Sequence, residues 1–189
     1  ISLIEDNFLK LKINEDYKDM MSKSTKELDK ESKEKYQEAK WLIKSLKERS
    51  ITIIRVSRAI MKSQNEFLEK GKLFLKPLVL KKIAEELDLH ESTISRVTTN
   101  KFISTPHGTF ELKYFFGSSI KTNSGNDLSS KAILFRIKEL IKNESTNHPY
   151  SDEQLSILLK KEGIQIARRT IAKYRIALKI LPSNQRKRN

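Results

Sequence analysis

The sequence contains no cysteine and has little glycine or proline. Its 189 residues include 5 Gly and 4 Pro, and neither type occurs before Gly71. Without cysteine the chain has no disulfide framework and no thiolate metal site, which suits a reducing cytoplasm. The three histidines, at positions 90, 107 and 148, are too scattered to predict a metal cluster. No apolar run reaches the ~18 residues that a membrane span requires, so we expect a soluble cytoplasmic protein without a cofactor.

Acidic residues are outnumbered by basic ones. Lys and Arg total 38 against 24 for Asp and Glu, and the formal net charge is +14. Such a field favours a polyanionic partner, either nucleic acid or an anionic membrane surface. The length suits one or two small domains. The chain begins at Ile1 rather than Met and enters an amphipathic pattern at once, which predicts a fragment of a longer protein.

The breaker-free stretch before Gly71 predicts an all-α fold that begins with long helices. Residues 1–35 predict a partial helical region, and residues 36–76 one very long helix. The stretch "ITIIRV", residues 51–56, has a β-branched density that would suit a strand, but no turn signal flanks it, so we predict helix. Apolar residues at intervals of three, four or seven form one stripe: Trp41, Leu42, Leu46, Ile53, Val56, Ile60 and Phe67.

Residues 77–116 predict a first helix-turn-helix unit. In "LKKIAEELDLHESTISRVTTNK", Ile83, Ala84 and Leu87 predict the apolar face of one helix, and Ile94 and Val97 anchor a second. The turn between them has Asp88 at a position where glycine is common, and Asp tolerates the left-handed conformation. At 100° per residue the outward face carries four polar side chains: Ser92, Ser95, Arg96 and Thr99. Hydroxyls beside an Arg suit base-edge and phosphate contacts, although the same face would also suit plain solvation.

The polar stretch "GSSIKTNSGNDLSS", residues 117–130, predicts a linker between two separate bodies. Residues 131–181 then predict a compact unit of three helices with a second helix-turn-helix. Ser151 and Gln154 predict a capping box, and Gly163 predicts the end of the middle helix. Residues 182–189 predict a basic tail, and its last five residues, "QRKRN", are expected to be mobile. Trp41 and the cluster "YFF", residues 114–116, are expected in the core, and His107 in a turn.

The last helix, "ARRTIAKYR", holds four cations among nine residues. On a helical wheel Ile171, Tyr174 and Leu178 share one side, and Arg169 points away from them near the N-terminal end, where helix-turn-helix proteins meet base edges. The wheel sets Arg168 and Arg175 on one flank of that outward face and Lys173 on the other. We interpret this as one base-reading Arg bracketed by phosphate contacts.

The alternative without a binding role is a solvated basic helix face that only keeps the protein in solution. Against it, surface helices usually alternate the sign of their charges, whereas no acidic residue follows Gly163. An ordinary repressor or recombinase module would use the same helix and should prefer an inverted repeat. A helical interaction protein with incidental charge is a third alternative. An enzyme is disfavoured because no phosphate loop and no nucleophile or paired-histidine arrangement is present.

Several stretches resemble the sigma-54 type of alternative bacterial RNA polymerase sigma factor. "ARRTIAKYR" looks like the signature box of that family, and "EAKWLIKSLKER", "HESTISRVTTNK", "FELKYFF" and "LPSNQRKR" are similar to its other characteristic stretches. The resemblance runs from about residue 36 to the end of the chain. The chain departs from the family pattern in having no Gln- and Leu-rich activator-responsive region. Only part of a core-binding region fits within residues 1–35.

The resemblance implies a factor that binds core RNA polymerase and directs it to promoter DNA with a −24 GG and a −12 GC element. It associates the box helix with the distal GG, which agrees with the wheel position of Arg169. It places the first helix-turn-helix near the proximal element, and the long helix close to where the strands separate. It also implies that promoter opening requires an ATPase activator. The factor itself is then not an enzyme.

Overall fold

The computed structural model describes residues 1–4, 11–14, 16, 19, 30–120, 128–145 and 147–186. Contacts between residues divide the chain into two compact units, Ile1–Arg58 and Ala59–Asn189. The described residues are mainly helical, which confirms the predicted fold class, and they include short strands that were not predicted. Within these ranges no helix has both the length and the apolar character needed to cross a membrane.

The elements alternate between helices and two short antiparallel strand pairs. The first half of the chain carries α1 (Lys30–Ser63), α2 (Asn65–Lys70), a 3-10 turn (Lys72–Phe74), α3 (Leu80–Leu87), α4 (Glu91–Thr98), β1 (Phe102–Thr105) and β2 (Gly108–Glu111). A second 3-10 turn (Leu112–Phe115) leads to β3 (Ser119–Ile120), β4 (Leu128–Ser129), α5 (Ser130–Lys142), α6 (Asp152–Lys161), α7 (Arg168–Ala177) and α8 (Ser183–Arg186). Strand β1 pairs with β2, and β3 pairs with β4.

The N-terminal unit contains most of α1, and residues 51–56 are helical, as predicted. The hydroxyl of Thr52 donates to the Glu48 carbonyl at 2.8 Å, which satisfies a β-branched polar side chain inside the helix. The prediction that Trp41 lies in the core is wrong, because its side chain is 69% exposed. Periodicity identifies a shared helix face but not what covers it. Most of the helical region expected at 1–35 lies outside the described residues.

The long helix ends at Ser63, earlier than the predicted boundary at residue 76. The next residue, Gln64, is fully buried, and its amide bonds both backbone groups of Lys76. Its Nε2 donates to the Lys76 carbonyl at 2.9 Å, and its Oε1 accepts from the Lys76 N–H at 3.0 Å. The side chain thus supplies the pairing that a strand neighbour would give and fastens the segment that follows α1.

An aromatic cluster forms the core beneath the first helix-turn-helix. The Phe67 ring packs edge-on against Phe110 at 5.4 Å and Phe115 at 5.2 Å between ring centroids. Of the "YFF" residues predicted in the core, Phe115 is buried, whereas Tyr114 and Phe116 are only partly buried. His107 lies in the tight turn between β1 and β2, as predicted, and its Nε2 lies 3.0 Å from the Leu68 carbonyl oxygen. The hairpin therefore closes over α2 and completes this core.

The predicted linker is fastened at both of its ends. Ser119 pairs with Ser129 and Ile120 with Leu128 in the β3–β4 ladder, and the middle of the linker, residues 121–127, lies outside the described residues. The Gly117 N–H donates to the Leu78 carbonyl at 3.0 Å. The two helix-turn-helix units, expected to be separate bodies, therefore contact each other within Ala59–Asn189.

Lys131, in the first turn of α5, reinforces this contact. Its Nζ donates to the carbonyls of Tyr114 and Phe116, the latter at 2.9 Å, and lies 4.6 Å from the centre of the Tyr114 ring. Burial lowers the pKa of Lys131, and the nearby Glu111 carboxylate opposes that shift. One half-buried cation thus joins α5 to the end of the first helix-turn-helix unit.

Within Ala59–Asn189, the helices α5, α6 and α7 pack around one apolar core and form what is called here the C-terminal unit. Its buried members are Ile133, Ile137, Leu155, Leu159, Ile164, Ile166 and Ile171. The predicted capping box at Ser151 and Gln154 is present at the start of α6. The tail was expected to be mobile from residue 185, but Arg186 lies in α8 and bonds both Glu144 carboxylate oxygens, at 2.7 and 3.0 Å. Residues 187–189 lie outside the described residues.

We predict that replacing Lys131 by Met loosens the contact between the two helix-turn-helix units. Met keeps most of the apolar stem but removes the donor for two carbonyls, and each such bond contributes roughly 1 kcal/mol. Unfolding in urea should show a loss of about 1–2 kcal/mol, and amide exchange should accelerate at residues 114–118. Lys138→Met, at an exposed position of the same helix, is the control. Equal effects of the two variants would contradict the assignment.

Candidate nucleic-acid interface

The turn between α6 and α7 is built from glycine and two buried isoleucines. Gly163 has φ +83°, and its N–H donates to the Lys160 carbonyl at 3.0 Å, so it ends α6 as predicted. Ile164 and Ile166 are buried. The Ser156 hydroxyl donates to the Ile166 carbonyl at 2.8 Å. These contacts fix the chain path just before α7, which begins at Arg168.

Helix α7 presents a cationic face opposite its one fully buried residue. Ile171 is completely buried, whereas Arg169 and Lys173 are exposed. Neither of these two cations has an ion-pair partner among the described residues. Because residues 169, 173 and 176 follow helical spacing, Ile176 extends the same face into the last turn. The structure therefore brings Arg169 and Lys173 together on the surface that the wheel predicts.

Arg168 lies at the edge of this face and makes only a surface ion pair. Its Nη1 lies 3.6 Å from Glu153 Oε2, and both side chains are well exposed. A pair of this kind contributes little to stability because water screens it. The guanidinium of Arg168 can therefore turn to another anion at small cost.

Arg175 does not lie on the flank where the wheel sets it. Its side chain is only 9% exposed, and it donates from Nε to Asp152 Oδ1 at 2.8 Å and from Nη2 to Asp152 Oδ2 at 3.0 Å. A third bond runs from Nη1 to the Ile180 carbonyl at 2.9 Å. The Asp152 carboxylate raises the pKa of Arg175 further above its usual value. Arg175 faces inward because, at 100° per residue, it lies about 60° from Leu178, on the side of α7 that faces the core.

The first helix-turn-helix has the turn that the sequence predicts. Asp88 adopts the left-handed conformation, with φ 53° and ψ 52°, at the end of α3. Ile94 is fully buried in α4, and Thr98 occupies the next buried position, where its hydroxyl donates to the Ile94 carbonyl at 2.8 Å. Val97, expected as an anchor, is only partly buried.

Of the four residues predicted on the outward face of this unit, Ser92 and Arg96 are exposed, and Ser95 and Thr99 are partly buried. The Thr99 hydroxyl donates to the Ser95 carbonyl at 2.8 Å, so it is already engaged within the helix. Arg96 has no ion-pair partner among the described residues. It is therefore the most available group on α4.

Sequence reasoning missed the residue that caps α4. His90 precedes the helix, and its Nδ1 accepts from the Ser92 N–H at 3.2 Å and lies 2.8 Å from the Ser92 hydroxyl. Ser, Thr, Asn and Asp are the usual N-cap residues, so the pattern "LHES" gave no signal. The cap needs the ring nitrogen without its proton, which sets the tautomer of His90.

A family model described as "Sigma-54, DNA binding domain" matches residues 29–188. The chain belongs to the sigma-54 family. The RNA polymerase sigma-54 factors of Salmonella typhimurium and Escherichia coli are each 47% identical to it over 188 residues. Those alignments cover 99% of the chain but 39% of each relative, so the chain spans about two fifths of their length.

A solved structure has a similar fold. It is a crystal structure of Aquifex aeolicus sigmaN bound to promoter DNA, which matches with a TM-score of 0.57 and 38% sequence identity. The match covers 97% of this chain and 55% of that one. The fold and family resemblance seen in the sequence are thereby confirmed.

We predict that Asp152→Ala destabilises the C-terminal unit far more than the same change at the neighbouring Glu153. Removing Asp152 strands a mostly buried guanidinium, and losing one partner of such a pair costs about 3–5 kcal/mol. Removing Glu153 breaks only an exposed pair, worth at most ~1 kcal/mol. Urea unfolding followed by circular dichroism measures both. Similar urea midpoints for the two variants would show that the ion pair of Arg175 with Asp152 does not stabilise the C-terminal unit.

Proposed function

We propose that the chain is the promoter-binding part of a sigma-54 type transcription initiation factor. It recognises bipartite promoters with a −24 GG and a −12 GC element, and the whole factor directs core RNA polymerase to them. Promoter opening depends on an ATPase activator, so ATP hydrolysis belongs to that partner, and this chain acts in the cytoplasm as a non-catalytic factor. The dependence on polymerase and activator rests on family membership alone.

The observation that carries the proposal is the exposed Arg169 near the start of α7, which has no ion-pair partner among the described residues. In helix-turn-helix proteins the first residues of the second helix meet base edges in the major groove. A guanidinium can donate to O6 and N7 of one guanine at once, which discriminates guanine from the other bases by ~1–3 kcal/mol. The related sigmaN is described as bound to promoter DNA, and this supports promoter DNA as the partner. The assignment of Arg169 to the distal GG follows from the family resemblance of the box helix.

The remaining residues of the proposed interface have different roles, which depend on whether their side chains are exposed or already bonded within the protein. Arg168 and Lys173 are exposed and position α7 on phosphates of the two groove walls. Arg175 supports the helix from beneath through Asp152, and we assign it no phosphate contact as long as that ion pair is kept. On α4, Arg96 makes the principal contact to the proximal element. Ser92, Ser95 and Thr99 line the same surface and contribute through hydroxyl or backbone groups.

The deciding experiment measures binding by fluorescence anisotropy to four duplexes: both elements, GG alone, GC alone, or neither. Titrations at several salt concentrations separate phosphate attraction from base reading, because only the former fades with the counterion effect. The proposal expects the GG duplex to keep its advantage over the scrambled duplex at higher salt. Four duplexes that bind alike and weaken together would leave only an electrostatic surface. A preference for an inverted repeat would instead indicate a dimeric regulator.

For the distal element, we predict opposite signatures for Arg169→Ala and Lys173→Ala. The first should remove ~1–3 kcal/mol of preference for GG over scrambled DNA. The second should weaken every duplex about equally and reduce the slope of log affinity against log salt by about 1. Lys138→Ala, on α5, serves as the control for a change of one charge. If Arg169→Ala weakened specific and scrambled DNA equally, its base-reading role would be lost.

For the proximal element, we predict that Arg96→Ala weakens binding to the GC duplex by roughly 1–3 kcal/mol while leaving the GG duplex nearly unchanged. The reason is that Arg96 is the one outward cation of α4. Lys81→Ala on α3, an exposed cation in a surface pair with Glu85, controls for the charge. A loss on the GG duplex of the same size would indicate that Arg96 acts on DNA in general.

A further inference from the structure

An isoleucine lies on the cationic face of α7, where nothing in the described structure covers it. Ile176 is 67% exposed, whereas three isoleucines that precede it, Ile164, Ile166 and Ile171, are buried in the core of the C-terminal unit. Single exposed apolar residues are common on protein surfaces, so exposure alone carries no argument. The position of Ile176 relative to Arg169 is what supports an inference.

Ile176 follows Arg169 by seven residues, so the two side chains project within about 20° of each other. The rise of 1.5 Å per residue separates them by roughly 10.5 Å along the helix. Lys173 lies between them on the same face, and no acidic residue follows Gly163 in the sequence. Arg169, Lys173 and Ile176 therefore follow one another along a single line of the helix surface that faces away from the core.

The direction of Ile176 is fixed by its neighbour. Arg175 is held at three points, by both oxygens of Asp152 and by the Ile180 carbonyl, so the last turn of α7 cannot rotate freely. A β-branched side chain also has a stiff first torsion. Ile176 thus presents a short, rigid apolar group whose position depends on the placement of the helix rather than on its own flexibility.

We propose that Ile176 contacts the C5-methyl group of a thymine in the distal element and so adds sequence preference to that of Arg169. This inference rests on the proposed function. In the major groove a thymine differs from the other bases by its methyl group, which apolar side chains recognise by contact. Base pairs rise by about 3.4 Å and a helix in the major groove is inclined to the DNA axis, so a separation of roughly 10.5 Å along α7 corresponds to a thymine about two to three base pairs from the guanine that Arg169 reads.

The test replaces each thymine of the GG duplex, one at a time, by deoxyuridine, which removes only the methyl group. Replacing each guanine by 7-deazaguanine locates the Arg169 contact. One deoxyuridine, two to four base pairs from that guanine, should weaken binding about threefold to fourfold, the factor expected for burying one methyl group. Ile176→Ala should weaken binding to the thymine duplex by a similar factor and be insensitive to the same deoxyuridine.

Two further variants sharpen the result. Ile157→Ala removes another exposed isoleucine, on α6, and should keep the full response to deoxyuridine. Ile176→Lys should bind scrambled DNA more tightly, because it adds a cation, yet lose the response to the methyl group. Retention of that response by either Ile176 variant overturns the proposal.

The outcomes also separate this inference from the proposed function. If the wild-type chain prefers GG over scrambled DNA but ignores every deoxyuridine, the thymine contact is refuted and the function stands. If the wild-type chain does not distinguish GG from scrambled DNA, the function itself fails and the contact fails with it. A response that appears at one thymine and disappears in Ile176→Ala supports the proposal.

Discussion

The ion pair between Arg175 and Asp152 locks the face of α7 that is turned outward. Ile171 places the helix in the core, and the partly buried Tyr174 and Leu178 pack beside it. Arg175 adds a polar restraint on rotation about the helix axis by binding both oxygens of a carboxylate on the first turn of α6. A rotation by one residue position, about 100°, would carry Arg169 towards the core. The cations that face DNA in the proposed complex therefore depend on a cation that does not.

The same carboxylate limits the self-repulsion of a helix that carries no acid of its own. Asp152 and Glu153 stand in the first turn of α6, where negative charge is favoured by the partial positive charge of the helix start. One acid neutralises the inner Arg175, and the other lies loosely beside Arg168. The acids are thus kept away from the outward line of α7. Without Asp152 and Glu153, the repulsion among the basic side chains would be greater, whereas the outward face of α7 would carry the same residues.

Local signals in the sequence predicted local structure well. Asp88 and Gly163 adopt the left-handed conformations that their positions suggest, and the capping box at Ser151 is formed. The failures share one cause, which is contact across many residues. The helical angle of Arg175 already lies on the inner side, but the helix alone does not show that it is ion-paired, because its partner lies 23 residues away. Trp41 has a helical phase typical of a core residue, and phase says nothing about a covering partner. In the candidate site, the sequence predicted the exposure of Arg169 and Lys173 but not the ion pair of Arg175.

The fastened linker changes how the two proposed DNA contacts of the chain are related. A flexible tether between independent units raises affinity through effective concentration and tolerates many spacings of the two elements. Here the β3–β4 ladder, the Gly117 bond to Leu78 and the ammonium of Lys131 hold the two helix-turn-helix units in contact. Partly burying that ammonium carries a desolvation cost, which two carbonyls and the Tyr114 ring offset. In the proposed complex, the geometry of this contact, rather than the length of the linker, restricts which arrangements of the two elements the chain can bind at once while the contact is kept.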